Sequence, residues 1–342
     1  MTNTIADLAD LENRLSDPSP GAVEALCRVN GDLLLLGAGG KMGPTLAHMA
    51  RLASDLAGVR RRVIAVSRFG EQRLVDALNA RGVETIRCDL LDEEQFAQLP
   101  DAPNVVFMTG MKFGSTGQPW LTWAMNVFLP GMVCRKYRRS RIVAFSTGNV
   151  YPLTPVALGG STEDDALGPV GEYAQTALGR ERIFTHFSRS LDIPIVLLRL
   201  NYAAELRYGV IADVARKVWD GEPVDVSMGC FNAIWQGDAN AMSLHALDHC
   251  ASPPTVINLA GPEVLSVRRL AEEFGRRFSK PVTIRGNEAP DALLSNGQRG
   301  HQLFGYPRVP ARQLIDWIAD WVRRGGASLN KPTHFETRDG AY

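Results

Sequence analysis

The chain has no excess of charge of either sign. Its 342 residues carry 37 Lys+Arg against 37 Asp+Glu. Nothing in that balance invites a nucleic-acid backbone or an anionic membrane surface. Cysteine is scarce. The five (Cys27, Cys88, Cys134, Cys230 and Cys250) are scattered without a C-x-x-C pair, which argues against structural zinc or a disulfide framework and fits a reducing cytoplasm. No apolar run approaches the roughly 20 residues that a membrane helix needs. The N-terminus is acidic (Asp7, Asp10, Glu12), where a signal peptide would be basic and then apolar. His245, His249 and His301 show no metal-ligand spacing, so no metal is expected. Internal repeats and low-complexity tracts are absent. The expectation is a cytoplasmic globular protein with 45% hydrophobic residues, enough for a large core.

What is present is alternation. Continuous apolar runs at Leu33–Leu36, Val63–Ser67, Glu84–Cys88, Val105–Thr109, Ile142–Ser146 and Ile195–Leu200 read as strands covered on both faces. Helical stretches lie between them at Gly43–Leu56, Glu71–Arg81, Glu93–Leu99, Trp120–Arg138 and Tyr173–Ser190. This rhythm predicts an α/β fold built on a doubly wound parallel sheet of Rossmann type. Residues 1–31 read as a helical extension bracing the main domain, or alternatively as a regulatory arm. Residues 32–202 read as the dinucleotide-binding domain, with a strand returning near 233–260. Residues 203–325 read as mostly a smaller mixed α/β substrate lobe, and 326–342 as a tail that is mobile or draped on the surface.

The segment LLLLGAGGKMG (Leu33–Gly43) places Gly37, Gly40 and Gly43 between a strand and a helix. Small residues there let the backbone approach a pyrophosphate, and the helix N-terminus offers free N–H groups to it. Lys41 and Met42 belong to the same turn. The second strand ends in Ser67-Arg68, where an NAD-binding chain usually places a carboxylate. An arginine beside a 2′-phosphate favours NADP, with NAD as the alternative. Asp89-Leu90 are placed to meet the adenine edge, and Thr109-Gly110-Met111 to run beside the middle of the cofactor.

These segments resemble the extended short-chain dehydrogenase/reductase superfamily, of the NAD-dependent epimerase/dehydratase type, over roughly residues 32–325. The glycine turn resembles its GxxGxxG, and Cys88-Asp89-Leu90 its adenine motif. Asn126 matches the Asn in the helix after strand four, and Phe145–Pro152 is similar to the S-S/T-x-x-V-Y-G segment. Leu198–Tyr202 is similar to R-P-x-N-V-Y, and Ile257–Gly261 resembles the lobe motif YNVGG. The resemblance implies that Thr147 and Tyr173 polarise a carbinol or carbonyl, with Tyr173 moving the proton. It also implies a homodimer built on the Trp120–Arg138 helix.

One residue departs from the pattern. Four positions after Tyr173, where the family carries a lysine, stands Ala177, and Leu178-Gly179-Arg180-Glu181 continues in register. An unassisted phenol is a poor base at neutral pH, and a nearby cation would repair this. Lys112 is the leading candidate for that cation, or else a solvated loop lysine, while Arg180 lies two helical turns away. Gly148-Asn149 replace the Asp-Glu pair of sugar-nucleotide 4,6-dehydratases, so dehydration by that route is disfavoured. For substrate contacts the sequence offers Thr147, Asn149, Asn201, Arg207 and Trp235, the last equally readable as a buried anchor.

Three functions follow. The first is hydride transfer with NADP or NAD on a sugar-like or other hydroxylated small molecule. The second is a dinucleotide-binding sensor or scaffold without turnover. The third is a non-redox enzyme on the same fold.

Overall fold

Four consecutive leucines, Leu33–Leu36 (β1), can all be buried only in a strand covered on both faces, and each is fully buried. Burial of each contributes roughly 1.5–3 kcal/mol. In the computed structural model, which describes residues 4–112 and 117–340, β1 is central in a seven-stranded parallel sheet. The chain alternates through α3 (Gly43–Leu56), β2 (Val63–Ser67), α4 (Gln72–Ala80), β3 (Glu84–Arg87), α5 (Glu93–Ala97) and β4 (Asn104–Phe107), after the leading helices α1 (Leu8–Leu15) and α2 (Pro20–Arg28). It continues through β5 (Arg141–Thr147), the long helix Gly171–Leu191, β6 (Ile195–Leu200) and a final strand β7 (Thr255–Leu259). The sheet order is β7-β6-β5-β4-β1-β2-β3. The order reverses between β1 and β4, and such a switch point leaves a crevice at the carboxyl ends of the strands.

The expected single helix over 120–138 is corrected. The structure shows α6 (Pro119–Trp123), a π-helical turn (Ala124–Phe128) and then α7 (Leu129–Lys136). Pro130 explains the break. It has no N–H to donate to the carbonyl of Asn126, and its ring would crowd that carbonyl in a regular helix. The ladder widens, and the Leu129 N–H bonds the carbonyl of Ala124, five residues back. The long helix Gly171–Leu191 is α8.

A second apolar core lies beyond the sheet. It is built on α9 (Val210–Asp220), the helix Val267–Phe278 and the helix Ala311–Arg323, and it includes Phe231, Trp235 and Phe335. The leading helices join the two layers. Ile5, Leu11 and Leu15 pack into this second core, whereas Ala22, Leu26 and Val29 pack against the sheet layer. Helix α10 (Gln236–His245), almost wholly buried, lies against α2 and α3. The tail is draped rather than free, with Thr333 and Phe335 each 2% exposed. No helix among the described residues is long and apolar enough to cross a membrane.

Candidate active site

The glycine turn has the close contacts that exclude side chains. Gly37 sits at φ +89°, and a Cβ there would lie 2.6 Å from Thr109 Oγ1. A Cβ at Gly43 would lie 2.2 Å from the carbonyl oxygen of Ala38. The first needs glycine for its dihedral and its space, the second for space alone. Helix α3 begins here, after β1, with no side-chain cap on its first N–H groups. Thr109 is buried, and its hydroxyl has no hydrogen-bond partner among the described residues. An uncapped helix start and an orphaned buried hydroxyl beside a glycine-rich turn fit the phosphates of a dinucleotide.

Beside the turn, a groove of about 820 Å³ is lined in part by Gly39, Ser67, Arg68, Arg73 and Arg207. Arg68 is exposed and makes no ion pair among the described residues, whereas Arg73 pairs with Glu71. Asp89, half-buried after β3, accepts the Leu91 N–H at 3.1 Å and stiffens its own turn, with Leu90 buried beside it.

Asn126, on the π-turn, is a clamp. Its carboxamide accepts from the Met111 N–H (2.9 Å) and the Arg180 guanidinium (2.7 Å), and donates to the Met111 carbonyl (3.0 Å) and Thr176 Oγ1 (2.9 Å). Every polar atom of its side chain is therefore used inside the protein. Arg180 also donates to the Phe145 carbonyl at 2.8 Å. Its guanidinium fills the space in front of Gly110, where a Cβ would lie 2.6 Å from Nη2. Burial depresses the Arg180 pKa, against the opposing pull of its acidic neighbours. Arg180 lies on the same helix as Tyr173, two turns on, and reaches back to the loop that carries Met111 and Lys112.

A small, partly open cavity, about 190 Å³, joins Lys41, Lys112, Thr147, Asn149 and Tyr173 with Asn201, Tyr208, Gln236 and Thr333. Thr147 ends β5, and its hydroxyl donates to Asn149 Oδ1 (3.0 Å) and accepts the Asn149 N–H (3.2 Å). Lys112 Nζ lies 5.7 Å from the centre of the Tyr173 ring, and burial pulls its pKa down to about 8. Lys41 Nζ lies 3.0 Å from the centre of the Tyr208 ring. Burial, and then the charges of Lys112 and Lys331, pull its pKa down to about 7 against the opposing pull of Asp213 and Glu205. Tyr202, beside the cavity, holds φ +44°, an uncommon left-handed conformation for an aromatic residue.

The position after Tyr173 that would carry a lysine is packed shut. Ala177 is fully buried in a small apolar cluster with Val150 and Tyr151.

Two sequence-expected substrate contacts lie elsewhere. Trp235 is 2% exposed and packs edge-on against Trp317, ring centres 5.5 Å apart, inside the second core. Arg207 turns to the groove beside the glycine turn, where its guanidinium is held by buried Glu205 at 3.0 Å. Their neighbours Gln236 and Tyr208 reach the cavity instead, because a short strand and a tight turn direct adjacent residues to opposite sides. Thr333 arrives from the tail and carries no sequence signal. Lys41, expected only as part of the turn, also projects its amine into the cavity.

The fold and this crevice define a class: a doubly wound α/β protein with a glycine turn after its first strand and, in one cavity, Thr147 from the end of β5 and Tyr173 from the first turn of α8. The chain belongs to the NAD dependent epimerase/dehydratase family, whose description matches residues 33–260. Among solved structures it is similar to UDP-glucuronic acid 4-epimerase from Bacillus cereus in complex with NAD, at 19% identity and a TM-score of 0.71. That match covers 86% of this chain and 97% of the other. It is also similar to dTDP-glucose 4,6-dehydratase from Bacillus anthracis (14% identity, TM-score 0.72, 86% and 97% covered) and to UDP-glucose 4-epimerase from Thermotoga maritima (15%, 0.69, 86% and 99%). No curated protein matches it by sequence.

The depressed lysines give a direct test of the cradle. A dinucleotide phosphate brought near Lys41 and Lys112 raises both pKa values, so binding takes up protons where the lysines are partly neutral. Calorimetric titration with NADP or NAD at pH 8, in buffers of different ionisation enthalpy, should show net proton uptake. Below pH 6 both lysines are already charged, and the uptake should vanish. An uptake independent of pH would place the phosphates elsewhere.

Proposed function

We propose that the protein is a nicotinamide-dependent oxidoreductase or epimerase acting by hydride transfer on a hydroxylated small molecule. The observation that carries this reading is the convergence of Thr147, Tyr173 and Lys112 on one cavity that adjoins the glycine turn. Bound nicotinamide supplies the hydride acceptor or donor. Thr147 Oγ1 holds the substrate oxygen, and Tyr173 Oη takes its proton in oxidation and returns it in reduction. Lys112 and Arg180 stand in for the family lysine by supplying the positive potential that a phenolate needs. Asn126 and Arg180 act as positioning residues, because they hold the segment of Met111 and Lys112 against α8. With a screened panel of polyols and sugar acids, Tyr173→Phe should lower kcat about 100-fold or more while cofactor affinity stays within a factor of two or three. An unchanged kcat would remove the assignment, whereas no turnover of any panel member by the wild-type chain would favour the sensor reading.

NADP is the cofactor this reading favours, although similar structures hold NAD. Arg68 in the groove beyond Ser67 supports a 2′-phosphate there. A charge-assisted bond to that phosphate contributes roughly 1.5–3 kcal/mol. Arg68→Ala should therefore weaken NADP binding about tenfold or more and leave NAD binding unchanged. Equal losses for both would assign Arg68 to neither.

The reading includes a homodimer. Trp120, Trp123 and Phe128 are 71%, 43% and 54% exposed, and the latter two line an apolar groove of about 880 Å³ that runs along α7 and α8. A patch of this kind on a folded chain marks an interface, and a second copy of the same helices would cover it isologously. Phe128→Asp should shift the mass seen by sedimentation from dimer to monomer, whereas a wild-type monomer would refute the assembly.

A further inference from the structure

Helix α1 of the N-terminal extension has two faces with different neighbours. Leu11 and Leu15, with Ile5 just before the helix, are buried in the second core. Leu8 and Glu12, one turn apart on another face, line the groove of about 820 Å³ beside the glycine turn. Leu8 is 44% exposed there, an apolar side chain that the core beneath does not use. Glu12 fixes two of the four arginines that line the groove. Its carboxylate accepts from Arg81 Nη2 at 3.0 Å and lies 3.9 Å from Arg207 Nη1, and Arg207 has Glu205 besides. Arg81 follows α4 and Arg207 follows β6, so the extension joins the sheet layer to the lobe at the edge of this groove. Arg73 pairs with Glu71, which leaves Arg68 with no ion pair among the described residues.

The other end of α1 is tied to the start of α3. Asn240 Nδ2 donates to the Leu15 carbonyl (3.3 Å) and to Thr45 Oγ1 (3.1 Å), and Gln236 Nε2 donates to the same hydroxyl oxygen at 3.3 Å. Thr45 Oγ1 donates in turn to the Met42 carbonyl at 3.0 Å. Thr45, Gln236 and Asn240 are all buried. Buried hydrogen bonds of this kind rigidify what they join, here the end of α1, helix α10 and the first turn of α3. Thr45 also lines the groove, between Gly39 and Pro44 of the glycine turn on one side and Ser67 at the end of β2 on the other. In a doubly wound sheet the adenosine ribose of a dinucleotide lies at the end of the second strand. The groove therefore adjoins that end of a bound cofactor.

We propose that helix α1 is a wall of the dinucleotide site, with Leu8 facing the adenosine end of the cofactor in the same groove as Arg68. The inference rests on the hydride-transfer reading above and adds to it a cofactor contact from outside the nucleotide-binding domain. Glu12 sets the charge of the wall. Its carboxylate offsets Arg81 and Arg207, so Arg68 is the cation whose charge is open to a 2′-phosphate. A charge placed at residue 8 then acts on that phosphate through the groove, and acts little on an adenosine that lacks it.

The test uses the full chain and its Leu8→Lys and Leu8→Glu variants, which leave the core untouched and are first shown to melt with the wild type. NADP and NAD are titrated calorimetrically into each. If neither dinucleotide binds the wild type, the hydride-transfer reading fails and the wall falls with it. Where NADP binds, Leu8→Lys is expected to tighten it and Leu8→Glu to weaken it, about threefold or more each. NAD is expected to stay within a factor of about two in both variants. Amide hydrogen exchange across 8–15 is expected to slow on saturation with dinucleotide, and by more than in the helix Val267–Phe278, which does not line the groove. An NADP affinity indifferent to the charge at residue 8, equal shifts for NADP and NAD, or exchange across 8–15 that slows no more than in the reference helix overturns the wall and leaves the hydride-transfer reading in place. If only NAD binds, exchange decides alone: selective protection of 8–15 upholds the wall, and its absence overturns it.

Discussion

The site depends on one buried cation. Arg180 is buried, and its guanidinium bonds neutral oxygens, those of Phe145 and Asn126. A charge in that position is costly unless its hydrogen bonds are held. The contacts that hold it therefore tie four segments together: β5 through Phe145, the π-turn through Asn126, the loop after β4 through Met111, and α8 itself. These segments carry Thr147, Lys112 and Tyr173. Removing the cation would free each of them to move against the others.

The π-turn belongs to the same constraint. Pro130 prevents a regular helix across Asn126, and the widened turn places that carboxamide where it grips both the N–H and the carbonyl of Met111. Single π-turns recur at functional sites for this reason, since one inserted residue re-aims a side chain without ending the helix. The lobe and tail act on the other side of the crevice. They supply Tyr208, Gln236 and Thr333 as walls of the cavity.

Much of this was legible from residues alone. β1, β2 and β6 have the bounds that their apolar runs predict, and the glycine turn lies between strand and helix as its spacing requires. Thr147, Tyr173, Lys112, Asn149 and Asn201 line one cavity, as the motif order suggests. Other placements were illegible for identifiable reasons. Trp235 and Arg207 were set one residue from the side chains that face the cavity, because local direction in a two-residue strand or a turn is decided by what packs around it. Arg180 was discounted by distance along the helix, although a long flexible side chain reaches back toward the helix N-terminus. Ala177 showed that the lysine is missing, but not that Val150 and Tyr151 close over its place. The 120–138 segment read as one helix because its apolar pattern runs through Pro130 without interruption.

The order of strands and helices, the cradle and the loss of the family lysine are properties of the sequence itself, because they rest on local periodicity, backbone freedom and the identity of one residue. Which cations reach Tyr173, which wall the tail forms and how small the cavity is were decided only by tertiary structure. Those depend on burial and on contacts between residues up to more than a hundred positions apart, such as Thr333 with Asp213, and no local pattern encodes them.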